Sequence, residues 1–323
     1  MRIDELLARG STRSFEFFPP HSAEEAATLA ATIEDLADLD PSFVSVTNRG
    51  GSAARERTFE LVTAIERQGR LTTMAHLIAR GQRRDDVADL LVRYRDAGVA
   101  NVLVLGGDPP TEGPDVPGDF AHACDLADLV REVGGFAIGV AAHPAGHPAS
   151  ADRAADRDRL AAKLAGADFA ITQFFFRADE WSSLVADLAE RGVTRPVLPG
   201  LMPVTALSSI GRMATMGAPV PTELVARLEA ADRAGGASAV RAAGIAAATD
   251  LAAELLARGA PGLHFYTLNR SSATREIHQA LATSDRVAHV AESGPRRSPA
   301  DLPRPARAQR RTSEMLDGLR DEG

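Results

Sequence analysis

Eight alternations of strand and helix period run along the chain and predict an α/β protein: a single (β/α)8 TIM barrel followed by a disordered C-terminal tail. Three observations carry this. The alternation is continuous from about residue 14 to residue 281. Short apolar runs such as NVLVL at 101–105 and FAIGVAA at 136–142 are of the kind that a parallel sheet buries on both faces. Polar and glycine-rich residues collect where strands end and helices begin, which in a barrel is one common face. A doubly wound open sheet is the alternative, but no Gly-x-Gly-x-x-Gly pattern follows the first strand.

The elements follow in order. The stretch SFEFFPP at 14–20 reads as a buried strand stopped by two prolines. Ser22 and two glutamates then open a helix that continues over 26–39. SFVSVT at 42–47 is a β-branched strand, 53–68 a helix and 71–77 the third strand. The helix over 85–97 ends at Gly98, and the fourth strand is 101–105. The helix over 120–132 stops at Gly134-Gly135, before the strand at 136–142. Helix 152–164, strand 169–175, helix 180–190 and strand 196–199 come next. Helical stretches at 206–213, 221–230 and 237–258 precede strand 262–266 and a last helix over 271–281. This gives a barrel domain over 1–290 and a proline- and arginine-rich tail over 291–323, which has too few large apolar residues to order itself.

Composition narrows the function. With 45% hydrophobic and 25% charged residues, the 323-residue chain is an ordinary globular sequence. A formal charge of -8 argues against a nucleic-acid partner. The N-terminal MRIDELLARG lacks a signal-peptide core and no segment approaches a membrane span, so a cytoplasmic protein with no membrane partner is expected. The single cysteine, Cys124, fits a reducing compartment and reads as a buried packing residue. His143 and His147 each precede a proline, so they do not share a helix face as zinc ligands would, and no metal site is expected.

Chemistry-bearing residues sit at strand ends: Glu16 after the first, Thr47 and Asn48 after the second, His76 at the third. Gly107 and Asp108 follow the fourth, His143 and His147 the fifth, Gln173 and Phe174 close the sixth, and Tyr266 and Arg270 follow the eighth. Glu16 is the centre of this set. A carboxyl group between phenylalanines is costly to ionise once buried, which describes a proton donor working near neutral pH.

The motifs SFEFFPP, HLIA, LGGDPP, GVAAHPAGHP, ITQFFF, LPGLMPV and HFYTLNR, in this order, resemble the catalytic domains of the methylenetetrahydrofolate reductase family over about 15–281. The resemblance implies a barrel that reduces 5,10-methylenetetrahydrofolate to 5-methyltetrahydrofolate with NADH or NADPH, and FAD as the family cofactor. By position it makes Glu16 the general acid and Asp108 the group that stabilises charge at the pterin. Gln173 would contact folate and nicotinamide, Arg270 would hold folate, and Phe174 and Tyr266 would line its slot. Ser209 matches a folate-contacting glutamine. Thr47, Asn48, His76, Gly107, His143, His147 and Lys163 match cofactor-side positions.

Departures cluster on the flavin side. Asn48 replaces a tyrosine, Gly106 an arginine, His143 a tyrosine and Ala145 a glutamate, while Lys163 lies one residue nearer ITQFFF than usual. Met213 replaces an aromatic residue. The expectation is that FAD binds weakly or not at all and that nicotinamide delivers hydride directly. Two other readings are a folate-binding barrel without activity and a flavin-linked oxidoreductase of proline dehydrogenase type. Oligomeric state is not legible in the sequence.

Overall fold

Eight parallel strands close on themselves in sequence order: β1 (Thr12–Phe17), β2 (Phe43–Val46), β3 (Thr73–Ile78), β4 (Asn101–Leu105), β5 (Ala137–Ala142), β6 (Phe169–Phe174), β7 (Val197–Leu201) and β8 (Gly262–Tyr266). β8 pairs back onto β1, so the expected barrel is the observed one. This computed structural model describes residues 1–48, 51–109 and 116–292, with side chains to residue 283. Arg49 and the expected tail from residue 293 onward lie outside the described residues.

The outer layer comprises α2 (Ala23–Ala37), α3 (Ser52–Arg67), α4 (Arg84–Asp96), α5 (Ala123–Val133), α6 (Arg153–Ala165), α7 (Ala178–Ala189), α9 (Thr222–Ala257) and α10 (Ser272–Glu292). A 3-10 turn at Leu207–Ser209 and the short α8 (Ile210–Thr215) follow β7. The caps read from the sequence form. Ser22 Oγ accepts a hydrogen bond from Glu25 N at 3.1 Å, and Asp152 Oδ1 accepts one from Ala155 N at 2.8 Å.

Three elements differ from expectation. The helices expected at 221–230 and 237–258 run together as α9, broken only at Gly235 and Gly236, the latter at φ +64°. Between them no proline enforces a stop, so the glycine pair acts as a kink. α10 runs on to Glu292, because no glycine or proline interrupts 282–292. The third difference is α1 (Ile3–Arg9), a helix that the sequence reading did not assign.

That helix seats the barrel floor. Ile3 is fully buried in one cluster with Phe43, Met74, Leu103, Phe169 and Leu198, the inward side chains of five strands. Asn101, at the start of β4, fixes it there. Its Oδ1 accepts from Ile3 N at 2.7 Å, and its Nδ2 donates to Met1 O and Thr73 O, both at 3.0 Å. The buried amide thus has three partners, which offsets its desolvation. No helix among the described residues is long and apolar enough to cross a membrane. Ile3→Ala should open a cavity under the strands and lower unfolding free energy by about 2–5 kcal/mol, read from the midpoint of a urea titration.

Candidate active site

Alternation along β1 decides which side chains enter the barrel. Phe15 and Phe17 belong to the outer cluster with Leu29, Ile33 and Leu36 of α2, whereas Ser14 and Glu16 point inward. The phenylalanines therefore do not enclose the acid, contrary to the expectation from the sequence. Histidines and a tyrosine do. Glu16 Oε2 lies 3.5 Å from His76 Nε2 and 3.5 Å from His264 Nε2. Glu16 and His76 are each 5% exposed and His264 is 0% exposed. Neither Nε2 atom has a hydrogen-bond partner among the described residues. Burial, reinforced by His264 and opposed by Glu16, holds His76 down at about 4, so this imidazole is neutral near pH 7. His76 was expected at a strand's end and instead sits within β3, facing the barrel interior.

Tyr266 forms the adjoining wall. It is paired with Glu16 in the β1–β8 register, and its hydroxyl donates to Thr172 O at 2.7 Å. Burial, with the Glu16 charge as a second cause, pushes its phenol well above the ordinary range, so it remains a neutral donor. Its ring packs edge-on against His264 at 5.3 Å and Phe174 at 6.0 Å. Gly200 makes this possible: a Cβ there would lie 2.6 Å from the Tyr266 ring and 2.3 Å from Thr172 O. Phe174 is buried in a cluster with Met202, Val204 and Met213, so it supports the wall from behind. Gln173 is half-buried at the rim, where its Nε2 donates to Met216 O at 3.2 Å and ties the loop after α8 to β6.

On the far side, the β5–α6 loop carries His143 and His147, whose rings meet edge-on at 4.8 Å. Burial, then His147 and Lys163, lower His143 to about 4 against the pull of Asp156 and Asp108. The loop is held from below by Arg157, which sequence reasoning missed. Arg157 is 1% exposed; its guanidinium donates to His143 O at 3.0 Å, Pro144 O at 2.5 Å, Asp156 Oδ2 at 2.6 Å and Asp187 Oδ2 at 3.1 Å. Lys163 Nζ donates to Ala141 O at 2.8 Å, and burial pulls its ammonium below the usual range. Cys124 is half-buried rather than buried, with Sγ 3.6 Å from Asp125 Oδ1. It sits near the start of α5, where that helix is only partly covered.

The remaining expected residues lie around the mouth. Asp108 and Arg270 are exposed, and Asn48 is half-buried after β2. Gly107 adopts φ +86° with its α-carbon so close to Ile78 that a Cβ would lie 2.4 Å from Ile78 Cγ2. Thr47 is buried, its Oγ1 has no hydrogen-bond partner among the described residues, and its carbonyl accepts from Thr58 Oγ1 at 2.8 Å. Ser209 Oγ is used locally, donating to Ala206 O at 2.6 Å. Two further residues have no role assigned from the sequence. Asn269, at φ +56°, exchanges two amide hydrogen bonds with Phe18, at 2.8 and 2.9 Å. His264 lies inside HFYTLNR, but only the register with Ser14 shows that it faces Glu16.

The histidines also set an acid limit. Both His76 and His143 have folded-state values near 4, below the ordinary 6.5, so the unfolded chain binds protons first. Their contribution to stability is complete above about pH 6.5 and is lost as pH falls toward 4. Urea midpoints should therefore fall across that window, and His76→Phe should flatten part of the slope.

Comparison with known proteins places this geometry. A family profile described as methylenetetrahydrofolate reductase matches residues 2–282. The 5,10-methylenetetrahydrofolate reductase of Pectobacterium carotovorum is 33% identical over 279 residues, covering 85% of this chain and 91% of the relative. The Salmonella typhimurium protein of the same name is 34% identical over 272 residues, 83% of this chain and 90% of that one. Methylenetetrahydrofolate reductase (NADH) 1 of Arabidopsis thaliana is 33% identical over 93% of this chain, which spans 53% of the plant protein. Among solved structures, an uncharacterized protein from Clostridium thermocellum that binds two copies of 5-methyl-5,6,7,8-tetrahydrofolic acid superposes with a TM-score of 0.61 at 15% identity. It covers 89% of this chain and 100% of its own, which shows the shared fold. The barrel, the inward acid and the profile match over nearly the whole chain agree: this chain belongs to the methylenetetrahydrofolate reductase family.

Proposed function

We propose that the chain reduces 5,10-methylenetetrahydrofolate to 5-methyltetrahydrofolate, with NADH as the favoured hydride source and without a tightly bound flavin. The observation that carries the reading is Glu16, an inward carboxyl group at the barrel mouth with an imidazole nitrogen of His76 and one of His264 each 3.5 Å away and a tyrosine beside it. A methylene bridge between two nitrogens is a poor hydride acceptor until one nitrogen is protonated. Glu16 gives that proton; the C–N bond to the protonated nitrogen breaks and leaves an iminium carbon. Nicotinamide then transfers a hydride to this carbon, which becomes the methyl group, and is itself oxidised. Asp108 at the mouth balances positive charge on the pterin side. Gln173 releases Met216 O to bind substrate or the nicotinamide carboxamide. Arg270, exposed beside Asn269, takes the anionic end of the folate. NADH is favoured over NADPH because the plant relatives carry NADH in their names.

The flavin reading turns on phosphate neutralisation. A resident flavin dinucleotide brings two phosphates, which need cations or free backbone N–H groups. Gly106 supplies no cation, Lys163 is bonded to Ala141 O, and Arg157 is buried beneath the β5–α6 loop, where it donates to two carbonyls and two carboxylates. At these three positions FAD fits poorly. NADH also carries two phosphates, but a reductant that binds and leaves at each turnover needs a weaker grip than a resident cofactor.

Protein purified without added flavin should be colourless and should oxidise NADH only when methylenetetrahydrofolate is present. Glu16→Gln should lose about 10²–10⁴-fold in turnover while still binding folate. Stoichiometric yellow flavin whose removal abolishes activity would overturn the flavin-free route. Folate binding by the wild type with no turnover would leave a binding protein in place of a reductase.

A further inference from the structure

Behind Glu16, a chain of buried groups runs into the barrel wall. His264 Nδ1 lies 2.8 Å from Ser14 Oγ, and that hydroxyl also reaches Leu263 O at 3.3 Å. Ser14 and His264 are both 0% exposed, so every proton in the chain must be placed within the protein. A serine hydroxyl has one proton. Leu263 O can only accept; with the hydroxyl donating to it, Oγ accepts from His264 Nδ1–H. That assignment leaves His264 Nε2 as a bare lone pair, 3.5 Å from Glu16 Oε2. Two lone pairs facing each other in a dry interior repel, and a proton on Oε2 turns the contact into an O–H···N hydrogen bond. From β3, His76 Nε2 stands at the same 3.5 Å on the other side of the same oxygen. Among the described residues, the titratable groups facing Glu16 are thus His76 from β3 and His264 and Tyr266 from β8. β2 adds only the hydroxyl of Ser45, its register partner.

We infer that His264 is a positioning residue whose tautomer, fixed by Ser14, keeps Glu16 in its proton-donating form, with Ser14 acting through His264 rather than on substrate. The catalytic consequence rests on the reductase reading above; the tautomer itself does not. Ser14→Ala separates the wiring from packing. Without the hydroxyl, an Nδ1–H would be a buried donor with no acceptor, which is costly. His264 then shifts to the Nε2–H form and donates to the Glu16 carboxylate, favouring ionisation. The expected result is a basic limb of the rate–pH profile displaced downward by about one pH unit. The loss of turnover should therefore grow as pH rises through the limb. Ser14→Thr, which retains the hydroxyl, should restore the limb.

The direct measurement is ¹⁵N NMR of histidine-labelled protein, with the His264 signals assigned by their loss in His264→Gln. Wild-type protein should show a protonated Nδ1, and Ser14→Ala a protonated Nε2. A protonated Nε2 in the wild type overturns the inference. So does a Ser14→Ala rate that falls by one factor at every pH, since that is the mark of packing alone. If the wild type shows no methylenetetrahydrofolate-dependent turnover, the reductase reading fails, and the NMR spectra alone decide the wiring.

Discussion

Closing eight strands into a barrel obliges β1 to pair along both edges, with β2 on one side and β8 on the other. The mouth depends on that second pairing. It sets Ser14 beside His264 and Glu16 beside Tyr266, and a slip of one residue would turn the acid out into the helical layer. The seam is secured at both ends. At its lower end Gly262, at φ +154°, lets the two backbones approach so closely that a Cβ would lie 2.3 Å from Thr12 O. At its upper end Thr267 Oγ1 donates to Glu16 O at 2.6 Å, the Asn269 amide is bonded to Phe18, and Thr32 Oγ1 donates to Asn269 O at 3.1 Å. The acid is thus held by its own backbone as well as by its side-chain neighbours.

Much of this fold was legible because its signals are local. Strands such as NVLVL carry their own period and burial, and Ser22 and Asp152 announce helices through caps that form within a turn. What escaped was non-local. α1 has a weak pattern of seven residues, and its stability comes from strands that supply its seat and from one asparagine 98 positions away. The joined α9 and the extended α10 were missed for the opposite reason: a helix without a breaker continues, and where it stops is set by what it packs on.

The site divides along the same line. Glu16, Gln173 and Tyr266 were found through motifs, yet their surroundings were not. Neighbours in sequence suggested an aromatic cage for Glu16, whereas strand alternation sends Phe15 and Phe17 outward and recruits imidazoles from β3 and β8. Lys163 looked like a displaced cofactor ligand; its reach toward Ala141 O depends on where α6 lies against β5. Arg157 gave no signal, since an arginine on a helix usually meets water, and only the fold shows it covered and bonded to two carbonyls.

The seat of α1 has a consequence for synthesis. Ile3 packs against Phe43, Met74, Leu103, Phe169 and Leu198, so the side chains that cover it are translated over a span of nearly 200 residues. At ordinary elongation rates of roughly 5–20 residues per second, Ile3 precedes Leu198 by roughly 10–40 s. During that interval Ile3, Leu6 and Leu7 are an apolar stripe without its socket. The Asn101 side chain becomes available about halfway through, and it can tether Ile3 to β3 and β4 before the barrel closes. The floor of the barrel is therefore completed only after most of the strands have been made.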